Sequence, residues 1–296
     1  MSAAPRPTLR RLVERRAGLV VPGAYDGVSA RLVERAGFEA VYMTGYGTSA
    51  ARLGLPDLGF AGLAEMLENA RLLAATVRIP LIADADTGYG GALAVERTVR
   101  AYEAAGVAAL HLEDQVWPKR CGHLAGKEVV PREEMVAKIR AAAEARRDPD
   151  LLLIARTDAI AVTGFDDALG RAEAYATAGA DVLFVEAPTT VAEIETIPRA
   201  LGKPCLFNYA PGGRSPLLPF RRLATLGYAI VLLPVQTLFA AAAAMAEYLA
   251  ALRLAGEPAG LDGRLMPFAE FNALFGVGEL LERERRFRGG GSLPGA

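Results

Sequence analysis

The chain has 296 residues, with 33 Lys and Arg against 34 Asp and Glu, and a formal charge of −1 at pH 7. Neither sign of charge collects into a long block, which argues against a protein that binds nucleic acid or a membrane surface, and the predicted partner is a small molecule. No basic and then apolar segment opens the sequence, and no apolar run approaches the roughly 18 residues needed to cross a bilayer, so we predict a cytoplasmic protein.

Short apolar runs alternate with longer stretches of helical periodicity, and this alternation predicts strands that are each followed by a helix. Eight strands are predicted: Leu19–Pro22, Ala40–Thr44, Pro80–Asp84, Val107–Glu113, Leu151–Arg156, Val182–Glu186, Cys205–Asn208 and Ala229–Leu233. The clearest predicted helices are Ala61–Val77, Leu93–Ala105, Arg132–Arg146, Asp166–Ala178 and Gln236–Leu254. Eight such units with strands buried on both faces favour an α/β fold of the (β/α)8 barrel type, with a doubly wound sheet as the alternative.

Two segments do not fit this repeat. Residues 114–131 form a long polar loop after the fourth strand, and loops of this length inside a compact domain are usually functional. Phe268–Phe287 is a further helical pattern beyond the eighth helix, and we expect it to pack on a neighbouring subunit. We therefore predict a single barrel domain with a helical extension over residues 1–287, and a disordered Gly-rich tail over 288–296.

Polar side chains stand at the carboxyl ends of the predicted strands, which is where barrels of this kind place their active sites. The second strand runs into Tyr42, Thr44, Gly45 and Tyr46, and later strands end in Asp84 and Asp86, in Glu113, in Arg156, in Glu186 and in Asn208. Carboxylates that converge on one mouth repel each other unless a cation lies between them, and oxygen ligands suit Mg²⁺, with Mn²⁺ as the alternative. The predicted metal ligands are Asp84, Asp86 and Glu113.

Structural interpretations of the same residues stay open at this point. Asp84 and Asp86 could cap the helix that starts near Gly91, and Glu113 could pair with a barrel arginine. Arg156 could equally be a structural ion-pair partner. His111 fits a layer of the barrel interior better than a ligand position. Cys205 fits a buried apolar position.

The strongest chemical signal is the loop sequence Lys119-Arg120-Cys121-Gly122-His123. A cysteine beside two cations and a histidine is expected to have a lowered pKa, which would equip it to exchange a proton near neutral pH. Gly122 lets the loop approach a substrate, and the length of segment 114–131 predicts a gate over the site. The alternative is an ordinary exposed cysteine in a charged loop.

This loop, followed by Leu124, resembles the signature of the lyase branch of the isocitrate lyase and phosphoenolpyruvate mutase superfamily. The resemblance extends over most of the chain, through the segments 22–26, 53–57, 84–90, 113–115 and 155–159. It implies a (β/α)8 barrel, a homotetramer that exchanges C-terminal helices between subunits, and a carbon–carbon lyase. The implied substrate is a 2-hydroxy di- or tricarboxylate of the 2-alkylmalate or 2-methylisocitrate type, which is cleaved to an α-oxo acid such as pyruvate and a carboxylate.

The resemblance also implies residue roles. Asp57 supports the metal pocket, while Thr44, Gly45 and Tyr46 cradle the carboxylate of the oxo-acid product. Arg156 binds the oxygens of that product, and Asn208, Glu186 and His123 face the other fragment. Cys121 gives a proton to the departing carbanion, which Lys119 and Arg156 stabilise, and Tyr42 is the candidate base, with Glu186 or a water as substitutes. Gly122 and His123 complete the substrate-binding set.

Substrate and reaction class leave alternatives open. Gly212 and Gly213 resemble the corresponding residues of the alkylmalate-type members, which implies an alkylmalate, whereas Arg214 could receive the third carboxylate of a tricarboxylate. Oxaloacetate decarboxylation or hydrolysis and phosphonomutase chemistry are the alternative reactions, and the intact Cys121 and His123 favour the lyase over the mutase. A non-enzymatic barrel would be expected to lose one of the carboxylates or the cysteine, and none is lost.

Overall fold

The computed structural model describes residues 8–288 and contains eight parallel strands that close into a barrel in chain order. The strands are β1 (Leu19–Ala24), β2 (Val41–Met43), β3 (Leu81–Asp84), β4 (Ala109–Glu113), β5 (Leu152–Thr157), β6 (Val182–Val185), β7 (Cys205–Asn208) and β8 (Tyr228–Leu233). Each lies within two residues of its predicted bounds. The predicted (β/α)8 barrel is confirmed, and the doubly wound sheet is wrong because β8 pairs with β1.

Helices connect the strands and extend beyond the last of them. They are α1 (Leu9–Glu14), α2 (Gly27–Arg35), α3 (Gly45–Thr48), α4 (Leu63–Thr76), α5 (Ala92–Ala104), α6 (Arg132–Ala145), α7 (Phe165–Ala178), α8 (Val191–Ala200), α9 (Phe220–Leu226), α10 (Gln236–Ala255), α11 (Phe268–Leu274) and α12 (Val277–Arg288). Short 3-10 turns lie at Ala159–Ala161 and Asp262–Arg264, and a π-helical turn lies at Ser49–Leu53. Local sequence explains the start of α2, since Asp26 caps it by accepting a hydrogen bond from the Ser29 backbone N–H at 2.8 Å.

Strand side chains are buried on both faces of the barrel wall. In β2, Val41 and Met43 join the cluster between the barrel and the helices, whereas Tyr42 joins the cluster inside the barrel. Leu9 and Val13 of α1 belong to the inner cluster as well. Both faces of a barrel strand exclude water, which is why the strands read as continuous apolar runs without alternation.

Pairing register sets the geometry of the carboxyl ends of the strands. Asp84 of β3 lies beside His111 of β4, and Glu113 of β4 lies beside Arg156 of β5. Residues that are 27 to 43 positions apart in the sequence are thus neighbours on the barrel wall. The register brings the predicted carboxylates and their cationic partner to one rim.

The described chain forms two compact units, one that ends at Phe239 and one that begins at Ala240. The predicted helix Phe268–Phe287 is wrong as a single element, because α11 and α12 are separated at Phe275 and Gly276. Gly276 has a φ of 66°, a left-handed conformation that ends a helix. The predicted extent of one domain over 1–287 stays a prediction. Arg288 ends α12, and the rest of the predicted disordered tail lies outside the described residues.

Helix α10 is long enough and apolar enough to cross a membrane by length and composition alone, with a mean hydropathy of 1.5 and none of that span buried. The expectation that no apolar segment is long enough to cross a bilayer is therefore wrong for α10. Glu247 and Arg253 interrupt the apolar run, but the alanines around them keep its average hydropathy high. Core helices of globular proteins pass the same test, so the helix by itself assigns no location.

Candidate active site

A cavity of about 150 Å³ opens at the carboxyl ends of the strands. Its lining includes predicted residues from several strands: Tyr42, Thr44 and Tyr46, Asp84, Arg156, Glu186 and Asn208. Asp57 and the loop residues Lys119, Cys121, Gly122 and His123 also line it. Gly45, Asp86 and Glu113 are not among the lining residues, but they lie directly behind it in contact with Asp84, Lys119 and Arg156.

The end of β2 is tied to Asp84. Asp84 Oδ2 accepts hydrogen bonds from the Gly45 backbone N–H at 3.1 Å and from the Tyr42 hydroxyl at 3.2 Å. A Cβ atom on Gly45 would lie 2.4 Å from the same oxygen, so only glycine allows this close approach. Thr44 caps the short helix α3 by accepting a hydrogen bond from the Gly47 N–H at 3.2 Å.

Tyr42 does not have the protonation behaviour expected of a base. Burial, and then the charge of Asp84, raise the pKa of Tyr42 well above its usual value, so the phenol keeps its proton. His111 Nε2 lies 2.8 Å from the Tyr42 hydroxyl, and the two rings are stacked. This geometry suits Tyr42 as a hydrogen-bond donor and disfavours the predicted role of general base. His111 lies inside the barrel as predicted, fully buried, with a pKa lowered by burial.

The three predicted metal ligands are buried carboxylates. Asp84, Asp86 and Glu113 are each no more than 4% exposed. Burial raises the pKa of Asp86 to about 7 and raises the pKa of Glu113 well above its usual value. Burial opposes the charge of Asp84 too, but His111 and Lys119 outweigh that effect and lower its pKa. A further cation beside Asp86 and Glu113 would relieve the cost of ionising them.

Protein cations already occupy part of the space between these carboxylates. Lys119 Nζ lies 2.6 Å from Asp57 Oδ1 and 2.7 Å from Asp86 Oδ1, and Arg156 Nη1 lies 3.2 Å from Glu113 Oε2. Across residues 8–288, no group of three or more His, Cys, Asp or Glu side chains is arranged to hold a metal ion directly. Glu113 Oε1 is buried and has no hydrogen-bond partner among the described residues, so it is a free acceptor. This free acceptor and the raised pKa values of Asp86 and Glu113 fit an additional cation at this position.

The capping alternative for the two aspartates is excluded by the structure. The N-cap of α5 is Gly91, which has no side-chain capping contact, and both Asp84 and Asp86 make their contacts elsewhere. Glu113 does pair with a barrel arginine, because Arg156 Nη1 lies 3.2 Å from Glu113 Oε2. Cys205 is fully buried in β7, as predicted.

The long loop packs against the rim of the barrel. Gln115 and Val129 form an antiparallel bridge at its base, and the Cys121 backbone N–H donates to the Asp57 carbonyl at 3.2 Å. The Gln115 side chain accepts from the Arg120 N–H and donates to the Arg120 carbonyl, at 3.0 and 2.8 Å. These contacts hold Cys121 at the cavity.

The predicted lowering of the Cys121 pKa is wrong. Burial raises the pKa of this thiol, and the charges of Asp57 and Glu186 raise it further, against the opposite effects of the His123 backbone and the Arg156 charge. The sequence placed two cations beside the cysteine, but Lys119 pairs with Asp57 and Asp86 instead. Arg120 turns to the Ala125 carbonyl, 3.3 Å away. The thiol consequently carries its proton at neutral pH, which is the form that a proton donor requires.

Arg156 is surrounded by carboxylates. Asp158 accepts hydrogen bonds from Arg156 Nε at 2.9 Å and Nη2 at 3.1 Å, and Glu186 Oε2 lies 3.6 Å from Nη2. The guanidinium also lies over the Phe184 ring, with 5.1 Å between its carbon and the ring centroid. These contacts fix the plane of the guanidinium, which faces the cavity.

His123 joins the loop to β6 and β7. Its Nδ1 accepts from the Arg214 backbone N–H at 3.1 Å, which places the proton of a neutral ring on Nε2. Nε2 lies 3.2 Å from Glu186 Oε1, and Asn208 Nδ2 donates to Glu186 Oε2 at 3.1 Å. A Cβ atom on Gly213 would lie 2.6 Å from His123 Nδ1, so the glycine makes room for the ring. Glu186 is thus the shared acceptor of this group.

Two residues of the site went unassigned in the sequence. Asp158 holds Arg156, and Lys127 Nζ binds both Asp158 Oδ1 and the Gly122 carbonyl. Asp158 could have been found, because it follows β5 directly as the other carboxylates follow their strands. Nothing in the sequence around Lys127 distinguishes it from a solvent-exposed lysine.

Comparison with known proteins agrees with this geometry. The family model described as phosphoenolpyruvate phosphomutase matches residues 9–253. The chain is 44% identical to 2,3-dimethylmalate lyase of Eubacterium barkeri and 42% identical to 2-methylisocitrate lyase of Aeropyrum pernix. Each alignment covers 95% of this chain, with 98% of the first relative and 90% of the second.

Solved structures of related enzymes are also similar to this chain. A complex of oxaloacetate acetylhydrolase with 3,3-difluorooxalacetate matches with a TM-score of 0.90 and 40% identity, over 98% of this chain and 99% of that one. A complex of phosphonopyruvate hydrolase with oxalate and Mg²⁺ matches with a TM-score of 0.85 and 33% identity, over 94% and 97% of the two chains. The chain belongs to the phosphoenolpyruvate mutase and isocitrate lyase superfamily.

Proposed function

We propose that the protein is a magnesium-dependent carbon–carbon lyase that cleaves a 2-hydroxy dicarboxylate to an α-oxo acid and a second carboxylate. One observation carries this proposal: the Cys121 thiol, whose pKa is raised by burial, lines the same cavity as Lys119, Arg156 and Asp84. A proton donor beside two cations matches what a departing carbanion needs. The names of the relatives support a lyase of this class.

Asp84, Asp86 and Glu113 would hold Mg²⁺, or Mn²⁺ as the alternative, directly or through water. Such an ion would lower the pKa of a substrate hydroxyl and neutralise the adjacent carboxylate. The buried carboxylates with raised pKa values and the unpartnered Glu113 Oε1 support this assignment. A phosphonopyruvate hydrolase of the same superfamily binds Mg²⁺ with oxalate.

Each residue of the site then has a separate role in the proposed reaction. Thr44, Gly45 and Tyr46 cradle the oxo-acid carboxylate, and Lys119 with Arg156 stabilises the charge that develops on the departing fragment. Cys121 protonates that fragment. Glu186, which is hydrogen-bonded by Asn208, takes the proton of the substrate hydroxyl in place of Tyr42, whose phenol stays protonated.

A dicarboxylate with alkyl substituents suits the cavity better than a tricarboxylate. Leu232, Pro234, Val235 and Phe239 give the cavity an apolar wall. The described lining contains one lysine, Lys119, and one arginine, Arg156. Each is already paired with a carboxylate. A third substrate carboxylate would compete for those cations, whereas a methyl group would pack against the wall.

We expect mass spectrometry with Mg²⁺ present to show cleavage of 2-alkylmalates to an α-oxo acid at a higher kcat/KM than for 2-methylisocitrate or isocitrate. The panel includes oxaloacetate and phosphonopyruvate. Cleavage that favours the tricarboxylates would overturn the dicarboxylate assignment. Oxalate and acetate formed from oxaloacetate as the main products would instead support the hydrolase, which the 0.90 TM-score to oxaloacetate acetylhydrolase makes the second candidate.

We further propose that the protein is a cytoplasmic homotetramer whose C-terminal helices are exchanged between subunits. Leu274, predicted to need an external partner, is only 8% exposed within the single chain. By contrast, Phe268 is 85% exposed, and Leu280 and Leu281 are each at least half exposed. These exposed side chains supply apolar surface that a subunit interface would cover.

Light scattering at micromolar concentration is expected to give the mass of four chains of 31.2 kDa each. The paired change Leu280→Asp and Leu281→Asp should shift the protein to a smaller species, because it places charges on the proposed contact. Leu93→Asp, at an exposed apolar position on α5, is the matched control. A wild-type monomer would contradict the exchange, and recovery of the chain only in detergent would contradict the cytoplasmic assignment.

A further inference from the structure

Lys127 is a buried lysine in the second half of the loop 114–131, and it contacts the part of the loop that lines the cavity. Its side chain is 1% exposed, and its ammonium group has two partners. Nζ donates to the Gly122 carbonyl at 2.5 Å and to Asp158 Oδ1 at 2.7 Å. Gly122 belongs to the loop and Asp158 directly follows β5, so this one side chain joins the loop to the barrel.

The contact at Gly122 controls two side chains that line the cavity. Gly122 lies between Cys121 and His123, so fixing its carbonyl fixes the peptide that carries both. The backbone here is tightly packed: a Cβ atom on Gly122 would lie 2.4 Å from Arg156 Nη2 and 2.7 Å from Glu186 Cγ. The loop can reach this position only because residue 122 has no side chain.

Asp158 links the same contact to Arg156. Its Oδ1 receives both Lys127 Nζ and Arg156 Nη2, and its Oδ2 receives Arg156 Nε. The Asp158 backbone N–H in turn donates to Asp114 Oδ1 at 2.9 Å, which anchors it below the rim. One carboxylate therefore orients the guanidinium and holds the lysine that seats the loop.

We propose that Lys127 is a positioning residue: through Asp158 it latches the loop over the cavity and couples the placement of Cys121 to the orientation of Arg156. This inference deepens the proposed function and rests on it for the effect on turnover. The latch itself is a property of the loop and can be tested without turnover.

The test is the rate at which iodoacetamide alkylates Cys121 in Lys127→Met, which keeps the length of the side chain and removes its charge. We expect alkylation to become about tenfold faster than in the wild type, because an opened loop exposes a thiol that burial now protects. Oxalate with Mg²⁺ should slow alkylation of the wild type more than alkylation of the variant. Cys205→Ala serves as the background, so that only Cys121 is labelled.

Turnover provides the second readout. A loop displaced by about 1 Å can lower turnover by about 100-fold, so kcat of Lys127→Met should fall by 10- to 100-fold while KM changes less. Lys127→Arg retains a cation that can reach Asp158 and should recover part of both effects. Lys138→Met is the matched control, since Lys138 is also buried but its ion pair is with Glu134 on α6, at 3.4 Å. This variant should leave both readouts unchanged.

An unchanged alkylation rate in a folded Lys127→Met protein would overturn the latch. If Lys127→Met does not fold, Lys127→Gln is measured in the same way, and loss of folding in both would show that the lysine is structural. Faster alkylation without cleavage of any 2-hydroxy acid would support the latch and contradict the proposed reaction. The alkylation rate therefore tests the role of Lys127, and the product assay tests the proposed reaction, so either can be overturned without the other.

Discussion

Cys121→Ser is expected to lower turnover by about 100- to 10,000-fold, the usual contribution of a positioned acid or base, while folding and Mg²⁺ binding stay normal. The hydroxyl of serine is nearly isosteric with the thiol but is a much weaker acid, so it protonates the departing carbanion poorly. The measurement is kcat on the best substrate of the panel, with the thermal midpoint and calorimetric Mg²⁺ affinity determined on the same sample.

Cys205→Ser is the matched control for this change. Cys205 is the other cysteine of the chain, lies buried in β7 outside the cavity lining, and has a pKa raised by burial to about 12. Its substitution can reduce stability but should leave kcat unchanged. Near-normal turnover of Cys121→Ser would remove cysteine protonation from the reaction, and an oxaloacetate decarboxylase or a mutase would then become the better assignment.

Asp84→Ala is expected to weaken Mg²⁺ binding by more than the roughly 10- to 100-fold that the loss of an outer partner of a metal ligand costs. Asp84 lines the cavity, and it is the one predicted ligand of the three whose pKa is lowered, so it is charged without the ion. The measurement is a calorimetric titration with Mg²⁺.

Two further variants separate metal binding from folding. Asp84→Asn keeps an oxygen for the Gly45 N–H but loses the charge, so it should also bind Mg²⁺ weakly while melting close to the wild type. Asp181→Asn changes a carboxylate that pairs with Arg10 and Arg146 just before β6, and it should lower stability without affecting Mg²⁺. Undiminished affinity in Asp84→Ala would contradict the metal site.

Local sequence was sufficient for the barrel and for the location of the site. Strands buried on both faces and the helices between them repeat eight times, and this repeat can be recognised in the sequence without any knowledge of contacts. Parallel strands of a barrel place their carboxyl ends on one rim, so Asp84, Glu113, Arg156, Glu186 and Asn208 could be assigned to one mouth from their positions alone. The break between α11 and α12 was missed because the apolar spacing continues across Gly276.

The protonation of the site was decided by the tertiary structure. The residues adjacent in sequence predicted a lowered pKa for Cys121. In the fold, Lys119 and Arg120 contact other partners, and burial raises the pKa of the thiol. Tyr42 stood at the right strand end for a base, yet burial and Asp84 keep its proton in place. A pKa depends on burial and on charges within a few ångströms, and neither can be counted along the chain.

The contact between the loop and the barrel through Lys127 could not be predicted from the sequence either. Lys127 is 31 residues away from Asp158, and their contact exists only because the loop after β4 folds over the end of β5. The sequence by itself determined the fold, the rim that carries the chemistry and the loop that carries Cys121. Only the tertiary structure decided which charges pair, which groups keep their protons and what holds the loop in place, because these depend on distances between segments that the chain order leaves unspecified.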